Sequence, residues 1–393
     1  LQNGVLPQKI VFISMDHPMI KLSALNEILE CYHENIYPEQ DVYYFFDEIQ
    51  YAQDWDKWLK TIYDMQPDTK MVATGSASPV LVKGNQESGA GRWSAIQVPT
   101  MSFYEYCELL NVDRPNLPDD LKITPLVYKT HNYFNRYLQV GGFPELALAD
   151  NDILAQQIMR EDVVDKVLKR DLPSLYKIRN ATELERIFLY LCNVSSEIVS
   201  IEAIAKELSG VSRPTVENYI QYLESANLIY QSWPVNIGGK KILKARPKIY
   251  IADAAIRNAV LMDDSLLSDP VEMGKIVETA VYKHVAAFYY QQATSVGYYR
   301  GGSHGKEIDI VVEYSTARDI LIEVKYREEA PIPDDAAIVE LSGDAAASIV
   351  VTKNANDFGV HHTKSGKDLI RIPAFAFLYL LGHAEKHGYR GVE

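Results

Sequence analysis

The sequence is poor in cysteine, has no long apolar run and is short of basic charge. Its three cysteines, Cys31, Cys107 and Cys192, are far apart among 393 residues. They predict neither a disulfide framework nor a metal site, and they fit a reducing cytoplasm. No apolar run approaches the ~18 residues of a membrane span, so we expect no membrane partner. Because the formal net charge is −14, any nucleic-acid surface must be a local basic patch.

A phosphate-binding loop is also absent, because G-x-x-x-x-G-K-[ST] occurs nowhere in the chain. The composition, with 47% hydrophobic and 23% charged residues, is that of an ordinary globular protein. The chain is too long for one core, and its mixture of buried strands and amphipathic helices predicts an α/β protein of about two to four domains.

A short apolar run that ends in two acids organises the first domain. The segment Val42–Gln50 reads VYYFFDEIQ and places Asp47 and Glu48 directly after the apolar residues. A continuous apolar run favours a strand buried on both faces of a parallel sheet. Acids at the carboxyl end of such a strand lie where open α/β sheets bind ligands. The alternative is an acidic first turn of the next helix, which the helix dipole favours.

Other predicted strands and helices surround this segment. The strands are Lys9–Met15 and Lys70–Ser78, and the second of them contains the small polar residues Thr74 and Ser76. The predicted helices are Leu22–His33, a helix that carries Trp55 and Ile62 on one face, and Ser102–Leu110.

This order resembles one branch of the AAA-type ATPases: a strand, an hhhhDE strand with a following tryptophan, a strand ending in TGS, then GR and SFYEY. The resemblance implies that Asp47 supports the Mg²⁺ of bound ATP and that Glu48 orients the attacking water. Thr74 or Ser76 would contact the γ-phosphate or that water, and Arg92 would be an arginine finger or a phosphate-sensing arginine. The implied cofactors are ATP and Mg²⁺, and a homo-oligomer is an assembly that stays open.

The resemblance covers Lys9–Leu110. The sequence lacks the phosphate-binding loop, which in the family comes before this segment. We place the strand of that loop between the strands that end in Asp47 and in TGS. Without it, these strands would show unpaired edges, at about 1–3 kcal/mol for each unsatisfied group. The hypothesis is that the natural protein has residues before Leu1 that supply the loop. A degenerate domain and a remodelled sheet are the alternatives.

The remaining sequence divides at a proline-rich and acidic stretch, Asp113–Asp120. The segment GGFPE, Gly141–Glu145, recurs in the same family, where it joins the ATPase part to the C-terminal part. The predicted domains are an ATPase core, a helical connector, a winged helix and a nuclease-like domain: 1–112, 121–195, 196–250 and 251–393.

Residues 196–250 predict a winged helix-turn-helix, with its turn at Gly210 and a second helix from Ser212. A wing tipped by Gly238 and Gly239 would carry the most basic patch of the chain: Lys240, Lys241, Lys244, Arg246 and Lys248. DNA contact would then involve Arg213, Lys240, Lys241 and Lys244. The alternative is a winged helix that packs within the molecule beside a solvated hairpin, since Glu217 and Glu224 oppose phosphate.

A second acidic pattern lies on a predicted hairpin formed by Glu307–Tyr314 and Ile320–Lys325. Alternation places Asp309 on one strand face and Glu323 with Lys325 on the matching face of the partner. A register with an even residue sum puts Asp309 beside Glu323, where like charges repel. A divalent cation would relieve this repulsion, as Lys325 would less completely.

Asp309 followed by Glu-x-Lys at Glu323 resembles the PD-(D/E)xK nucleases, although Ile308 replaces the usual proline. The resemblance implies that Asp309 and Glu323 ligate Mg²⁺ or Mn²⁺, with Glu278 of the preceding helix completing the site. Lys325 would position or deprotonate the attacking water. The alternative is a cross-strand ion pair on a silent nuclease fold.

These patterns together predict a cytoplasmic ATP-binding protein that acts on or senses DNA and carries a nuclease-like centre. Its hydrolysis of ATP depends on an upstream phosphate-binding loop. Two alternatives stay open. One is an ATP-dependent switch that only makes protein contacts, and the other is a DNA-binding regulator with both catalytic centres silent.

Overall fold

The computed structural model describes residues 4–75, 92–94, 96–112, 125–208, 210–235, 245–262, 267–290, 292–301, 305–315 and 317–388. The chain divides into two compact units. The first is Leu1–Val98 with Ser225–Asn227, and the second is Pro99–Glu224 with Leu228–Glu393. None of the helices in these described ranges is long and apolar enough to cross a membrane.

The first unit contains a parallel sheet of β1 (Ile10–Ser14), β2 (Tyr43–Asp47) and β3 (Lys70–Ala73), in that order. Helix α1 (Leu25–Asn35) follows β1, and helix α2 (Trp55–Met65) follows β2. The alternation of strand and helix is the arrangement that the apolar runs predicted.

The sheet of the first unit is covered on one face only, as far as its described residues show. Trp55, Leu59 and Ile62 follow one another at helical spacing and pack with Tyr44 and Phe46 in the core. The opposite face exposes large apolar side chains: Phe12, Tyr43, Phe45 and Val72. The prediction that the Val42–Phe46 strand is buried on both faces is therefore wrong, because helices α1 and α2 pack on a single side.

Strands β2 and β3 are direct neighbours, paired from Tyr43 with Lys70 to Phe46 with Ala73. The predicted place of the phosphate-loop strand, between these two, is therefore wrong. Since β2 is hydrogen-bonded on both sides, another strand could join only at the outer edge of β1 or β3.

The second unit holds the other described helices: α3 Phe103–Leu109, α4 Pro125–Val140, α5 Pro144–Ala147, α6 Asp152–Ile158, α7 Leu172–Tyr176, α8 Ala181–Asn193, α9 Ile201–Glu207, α10 Arg213–Ser225, α11 Ala254–Leu261, α12 Pro270–Tyr289, α13 Ala337–Leu341 and α14 Ala374–Lys386. Two π-helical stretches, Met159–Asp165 and Val167–Asp171, continue α6 into α7. Helix α3 packs against α14, so the second unit begins before residue 112, where the predicted ATPase core ended.

A small antiparallel sheet has one strand before the helix pair α9 and α10 and two strands after it. Its strands are β4 (Glu197–Ile198), β5 (Ile229–Ser232) and β6 (Lys248–Ile251), in the order β4, β6, β5. The inward residues predicted for α10, Val216, Ile220 and Leu223, are buried. This is the element order of a winged helix, which stays an interpretation. Every residue of β6 is buried, so this strand lies inside the unit.

A larger sheet of mixed direction completes the second unit. Its strands are β7 Ser295–Gly301, β8 Lys306–Glu313, β9 Ile320–Lys325, β10 Ala347–Thr352, β11 Gly359–His362 and β12 Asp368–Pro373. Their order is β11, β12, β10, β9, β8, β7. Strands β7 to β9 are antiparallel, whereas β10 runs parallel to both β9 and β12. The predicted hairpin, its following strand and its last helix are therefore present, and the nuclease-like class stays an interpretation.

The two glycines of GGFPE allow a close approach between the end of α4 and the start of α11. Gly141 has a φ of +75°, and a Cβ on Gly142 would lie 2.3 Å from the carbonyl oxygen of Met101. The Gly142 amide donates to Asp253 at 3.1 Å. Any larger side chain at Gly142 would push these backbones apart.

Candidate functional site

Asp47 lies at the carboxyl end of the central strand of the first unit, as predicted. The Thr74 hydroxyl donates to Asp47 Oδ1 at 2.6 Å, and the Ser14 hydroxyl lies 3.4 Å from Oδ2. Side chains at or just beyond the ends of all three strands thus meet at one edge of the sheet, where parallel sheets bind ligands. The roles of Asp47 and Thr74 toward nucleotide stay predictions, and Ser76 lies outside the described residues.

Glu48 follows with a backbone that is unusual for a non-glycine residue. Its φ is +52° and its ψ is +46°, in the left-handed region. The Gln50 amide group donates to its carboxylate. Left-handed backbone costs roughly 1–2 kcal/mol, and such strain is found at functional sites. The turn directs the chain away from β2 immediately after the acid pair.

Arg92 is not brought to Asp47. Its guanidinium group donates to both carboxylate oxygens of Asp64, at 2.9 and 3.3 Å. Asp64 lies near the C-terminal end of α2, which leads into the amino end of β3. In a parallel sheet that end lies at the edge opposite Asp47. The position of Arg92 therefore does not support the role of a phosphate-sensing arginine in this site. Its role as an arginine finger for another subunit stays a prediction.

The hairpin of β8 and β9 has the register that the sequence predicted. Ile310 pairs with Ile322 and Val311 with Leu321, so the two residue numbers of each pair add up to an even number. The predicted alternation does not continue to Asp309, because a bulge interrupts β8 between Ile308 and Val311, and Ile308 packs in the same core as Val311 and Leu321. The Val324 amide donates to Asp309 Oδ2 at 2.9 Å, which fixes that carboxylate against β9.

The cation among these acids is Lys248, from β6. Its Nζ lies 2.7 Å from Glu278, 3.1 Å from Glu307 and 3.3 Å from Asp309. We call Lys248, Glu278, Glu307, Asp309 and Glu323 with Lys325 the acidic centre. The Lys248 side chain is only 3% exposed, so its assignment to a basic patch on the wing is wrong. Burial alone would lower its pKa, but Glu278, Asp309 and Glu307 raise the pKa and keep the lysine charged.

Glu278 is held by two donors rather than left open for a metal. Lys248 and the Tyr250 hydroxyl both reach its Oε1, at 2.7 and 2.9 Å. The Tyr250 ring stacks on Tyr282 with centroids 4.0 Å apart. Burial and the neighbouring Asp309 raise the pKa of Glu278 to about 7, against the opposing effect of Lys248.

Glu323 has one satisfied and one unsatisfied oxygen. Lys325 donates to Oε1, while Oε2 is buried without a hydrogen-bond partner. Burial and Asp309 raise the pKa of Glu323, which Lys325 partly offsets. Lys325 is thus turned back onto its own strand. Its predicted role on an attacking water stays a prediction.

The predicted three-acid metal site is not assembled. Within the described ranges, no group of three or more His, Cys, Asp or Glu side chains could hold a metal ion. The physical reason is that Lys248 occupies the space that Glu278 and Asp309 would share. Asp309 and Glu323 as a pair of ligands stay a prediction.

The predicted DNA-contact residues are only partly described. Arg213 pairs with Glu217 and Glu202, each at 2.9 Å, so its charge is neutralised on the helix surface. Glu224 is turned inward and accepts hydrogen bonds from Gln231, so it does not face a phosphate. The wing lysines Lys240, Lys241 and Lys244 lie outside the described residues.

Sequence reasoning missed Lys248 and Tyr250 as members of the acidic centre. Both belong to KIYIA, which is a continuous buried strand with one charged residue. Alternation puts residues 248 and 250 on the same face. A lysine in a strand of this kind needs a buried acid, and that signal was present. Cys107 and Cys192 are buried and Cys31 is exposed.

Comparison with protein families divides the chain into three matched regions. Residues 1–107 match a family described as an AAA domain. Residues 131–266 match a domain of unknown function (DUF8612), and residues 273–375 match another (DUF4143). The acidic centre crosses the last boundary, since Lys248 precedes it and the acids follow it.

Relatives of the whole chain are distant. An uncharacterized protein of Methanocaldococcus jannaschii is 24% identical over 375 residues, which are 93% of this chain and 80% of that protein. An uncharacterized protein of Haemophilus influenzae is 24% identical over 264 residues, which cover 65% of this chain and 62% of that protein. The chain therefore spans less than two thirds of the second relative.

Among solved structures, a Walker-type ATPase of Pyrococcus abyssi matches with 16% identity and a TM-score of 0.38. The match covers 63% of this chain and 72% of that chain, but a likeness at this score supports no conclusion. The match of residues 1–107 to the AAA domains agrees with the position of Asp47 at the sheet edge. The amino-terminal region is thus similar to AAA domains, while the two regions after it match domains of unknown function.

Proposed function

We propose that the protein binds ATP through its AAA-type region and couples the bound nucleotide to a C-terminal region that senses DNA without cleaving it. The observation that carries the nucleotide site is the contact between Asp47 at the end of β2 and Thr74 after β3, at 2.6 Å. Asp47 holds the nucleotide's cation, Glu48 orients water, and Thr74 contacts phosphate or water.

The donor set at this edge fits Mg²⁺. Asp47 supplies carboxylate oxygens, and Ser14 and Thr74 supply hydroxyl oxygens beside them; Mg²⁺ prefers oxygen ligands of this kind. When bound, the ion would neutralise charge on the phosphates. The Thr74 hydroxyl donates to Asp47 and orients this carboxylate.

The test of this site is steady-state ATPase activity of the natural full-length protein and two variants. Glu48→Gln should lower turnover by about 10²–10⁴-fold, because a water-positioning acid contributes on this scale, while ATP binding is kept. Asp47→Asn should weaken Mg²⁺-dependent binding as well. Glu39→Gln, an exposed acid of the same unit, is the matched control. Unchanged turnover in Glu48→Gln would contradict the proposal.

The phosphate-binding loop is a separate requirement. It is absent from these 393 residues, and only the outer edges of β1 and β3 could accept its strand. We expect these residues alone to bind Mg²⁺-ATP weakly. Tight binding measured by calorimetry would show that the loop is unnecessary.

DNA sensing is supported by the helix pair α9 and α10 and by the strands β5 and β6 that flank the lysine-rich segment 236–244. Since Arg213 is already paired, the contact would rest on the wing. Replacing Lys240 and Lys241 with glutamate should lower DNA affinity and reduce its dependence on salt. Equal affinity of this variant and the wild type would remove the wing as a DNA contact.

A further inference from the structure

The acidic centre joins two parts of the second unit that belong to different families. Lys248 lies on β6, within residues 131–266, which match one domain of unknown function. The acids lie within residues 273–375, which match another. Glu278 comes from helix α12, and Glu307 and Asp309 come from β8. One ammonium group therefore contacts acids of a helix and a strand that follow it in the sequence by 30 to 61 residues.

The ammonium group is fully engaged by these contacts. Its three donors face three carboxylates at 2.7, 3.1 and 3.3 Å. Its strand, β6, is the middle strand of its sheet and is paired on both sides, so the backbone that carries it is fixed. Tyr250, two residues further along, anchors the same strand to Glu278 at 2.9 Å. The lysine has no exposed position to which it could easily withdraw.

A divalent cation in the same place would need the same oxygen atoms. Mg²⁺ and Mn²⁺ bind carboxylate oxygens at about 2.0–2.2 Å. A second cation within a few ångströms of the ammonium group would be repelled, and repulsion is strong where water is largely excluded. Glu278 and Asp309 cannot serve Lys248 and a metal together.

We propose that Lys248 is the resident cation of the acidic centre, which ties β6 to α12 and β8 and keeps divalent metal out while the lysine is in place. The centre is then a fixed joint between the two matched regions rather than a nuclease site. The buried Lys248 stays charged because the acids raise its pKa. The four acids of the centre outnumber the ammonium groups of Lys248 and Lys325, and the pKa values of Glu278 and Glu323 are raised.

The experiment measures Mn²⁺ binding to the nucleotide-free protein by electron paramagnetic resonance and by the thermal unfolding midpoint. In the wild type, bound Mn²⁺ should be the same as in Asp309→Asn and in Glu323→Gln. In Lys248→Met, Mn²⁺ should bind and raise the midpoint by several degrees, since a ligand of the folded state stabilises it. That gain should disappear in Lys248→Met combined with Asp309→Asn.

Lys275→Met is the matched control, because Lys275 lies on α12 and pairs with Glu197 and Glu272 at the surface. It should gain no Mn²⁺ site. Lys248→Gln, which keeps a donor toward the acids, replaces the methionine variant if that one does not fold.

Two results would overturn the proposal. One is Mn²⁺ bound by the wild type and lost in Asp309→Asn or Glu323→Gln. The other is a folded Lys248 variant that gains no Mn²⁺ binding. Mn²⁺ bound near Asp47 does not affect this comparison, because substitutions at Asp309 and Glu323 leave that binding unchanged. The inference can therefore fail while the proposed nucleotide site stands.

Discussion

Lys283 and Lys248 are both buried ammonium groups with three hydrogen-bond acceptors, and they differ in the charge of those acceptors. Lys283 donates to the Met101 carbonyl at 2.8 Å, the Tyr137 hydroxyl at 3.0 Å and Asp253 at 3.1 Å. Lys248 faces three carboxylates. One cluster is balanced in charge, and the other has an excess of acid.

The difference separates a joint whose charges balance from a joint whose acids repel one another. Around Lys283, the Asp253 carboxylate also accepts from Thr100 at 2.7 Å and from the Gly142 amide at 3.1 Å. Despite its burial, Lys283 and these donors lower the pKa of Asp253. In the Lys248 centre the pKa values of Glu278 and Glu323 rise instead. Displaced pKa values of that kind are typical of functional sites or of sites derived from them.

Removing Lys283 should have the largest effect on stability. Lys283→Met leaves the Asp253 charge buried without its counter-ion, which costs about 3–5 kcal/mol of unfolding free energy. Urea unfolding followed by circular dichroism measures the loss. Asp253→Asn in the same chain should recover part of it. A loss below ~1 kcal/mol would mean that Asp253 is not held as a charged group.

Gly142→Ala should be the next most damaging change. The added Cβ would meet the Met101 carbonyl oxygen at 2.3 Å and Lys283 Nζ at 2.9 Å, so the balanced cluster must open. We expect a loss of about 1–3 kcal/mol in the same unfolding measurement. Gly274→Ala is the control. It lies in helix α12 with no atom within 4 Å of the new Cβ, so it should stabilise by ~0.5–1 kcal/mol. Equal effects of the two changes would contradict the close approach.

The acid excess at Lys248 predicts a pH dependence near neutral pH, whereas the lowered pKa of Asp253 in the Lys283 cluster predicts a loss of stability only at acid pH. The pKa of Glu323 is raised from 4.5 to about 7, so its proton stabilises the folded state below pH 4.5, and this contribution is lost as the pH rises through 7. Between about pH 5 and about pH 8 the wild type should lose ~1–2 kcal/mol more than Glu323→Gln.

The control for this pH series is Glu329→Gln, an exposed acid that follows β9. Its unfolding midpoints should follow those of the wild type at every pH. If Glu323→Gln follows them as well, the carboxyl group of Glu323 is ionised in the folded protein without a penalty.

Glu307→Gln should have the smallest effect. The Glu307 side chain is 32% exposed and is one of three acids on Lys248, which keeps Glu278 and Asp309. We expect a change below ~1 kcal/mol in thermal unfolding. A larger loss would mean that Lys248 needs all three carboxylates. The excess of negative charge around this lysine would then be smaller than the count of acids indicates.

Much of the fold could be read from local patterns. The β9 strand, the long helix α12 and the even-sum register of the hairpin all follow from runs and alternation that involve neighbouring residues. The Asp47 position followed from an apolar run and two acids. Sequence reasoning failed where a residue's environment comes from distant segments: the exposed face of β2, the direct pairing of β2 with β3, and the burial of Lys248.

The covalent order of residues is enough to place Asp47 at the end of a strand and to set the register of β8 against β9 from Ile310 to Val312, because strand geometry repeats every two residues. It does not tell which cation meets the acids of the acidic centre. Lys248 looked like one more solvent-facing lysine of a basic hairpin. Only the packing of β6 between its neighbouring strands brings Lys248 to Glu278 and Asp309. A buried charge must be paired with groups that are close in space, whatever their distance in sequence.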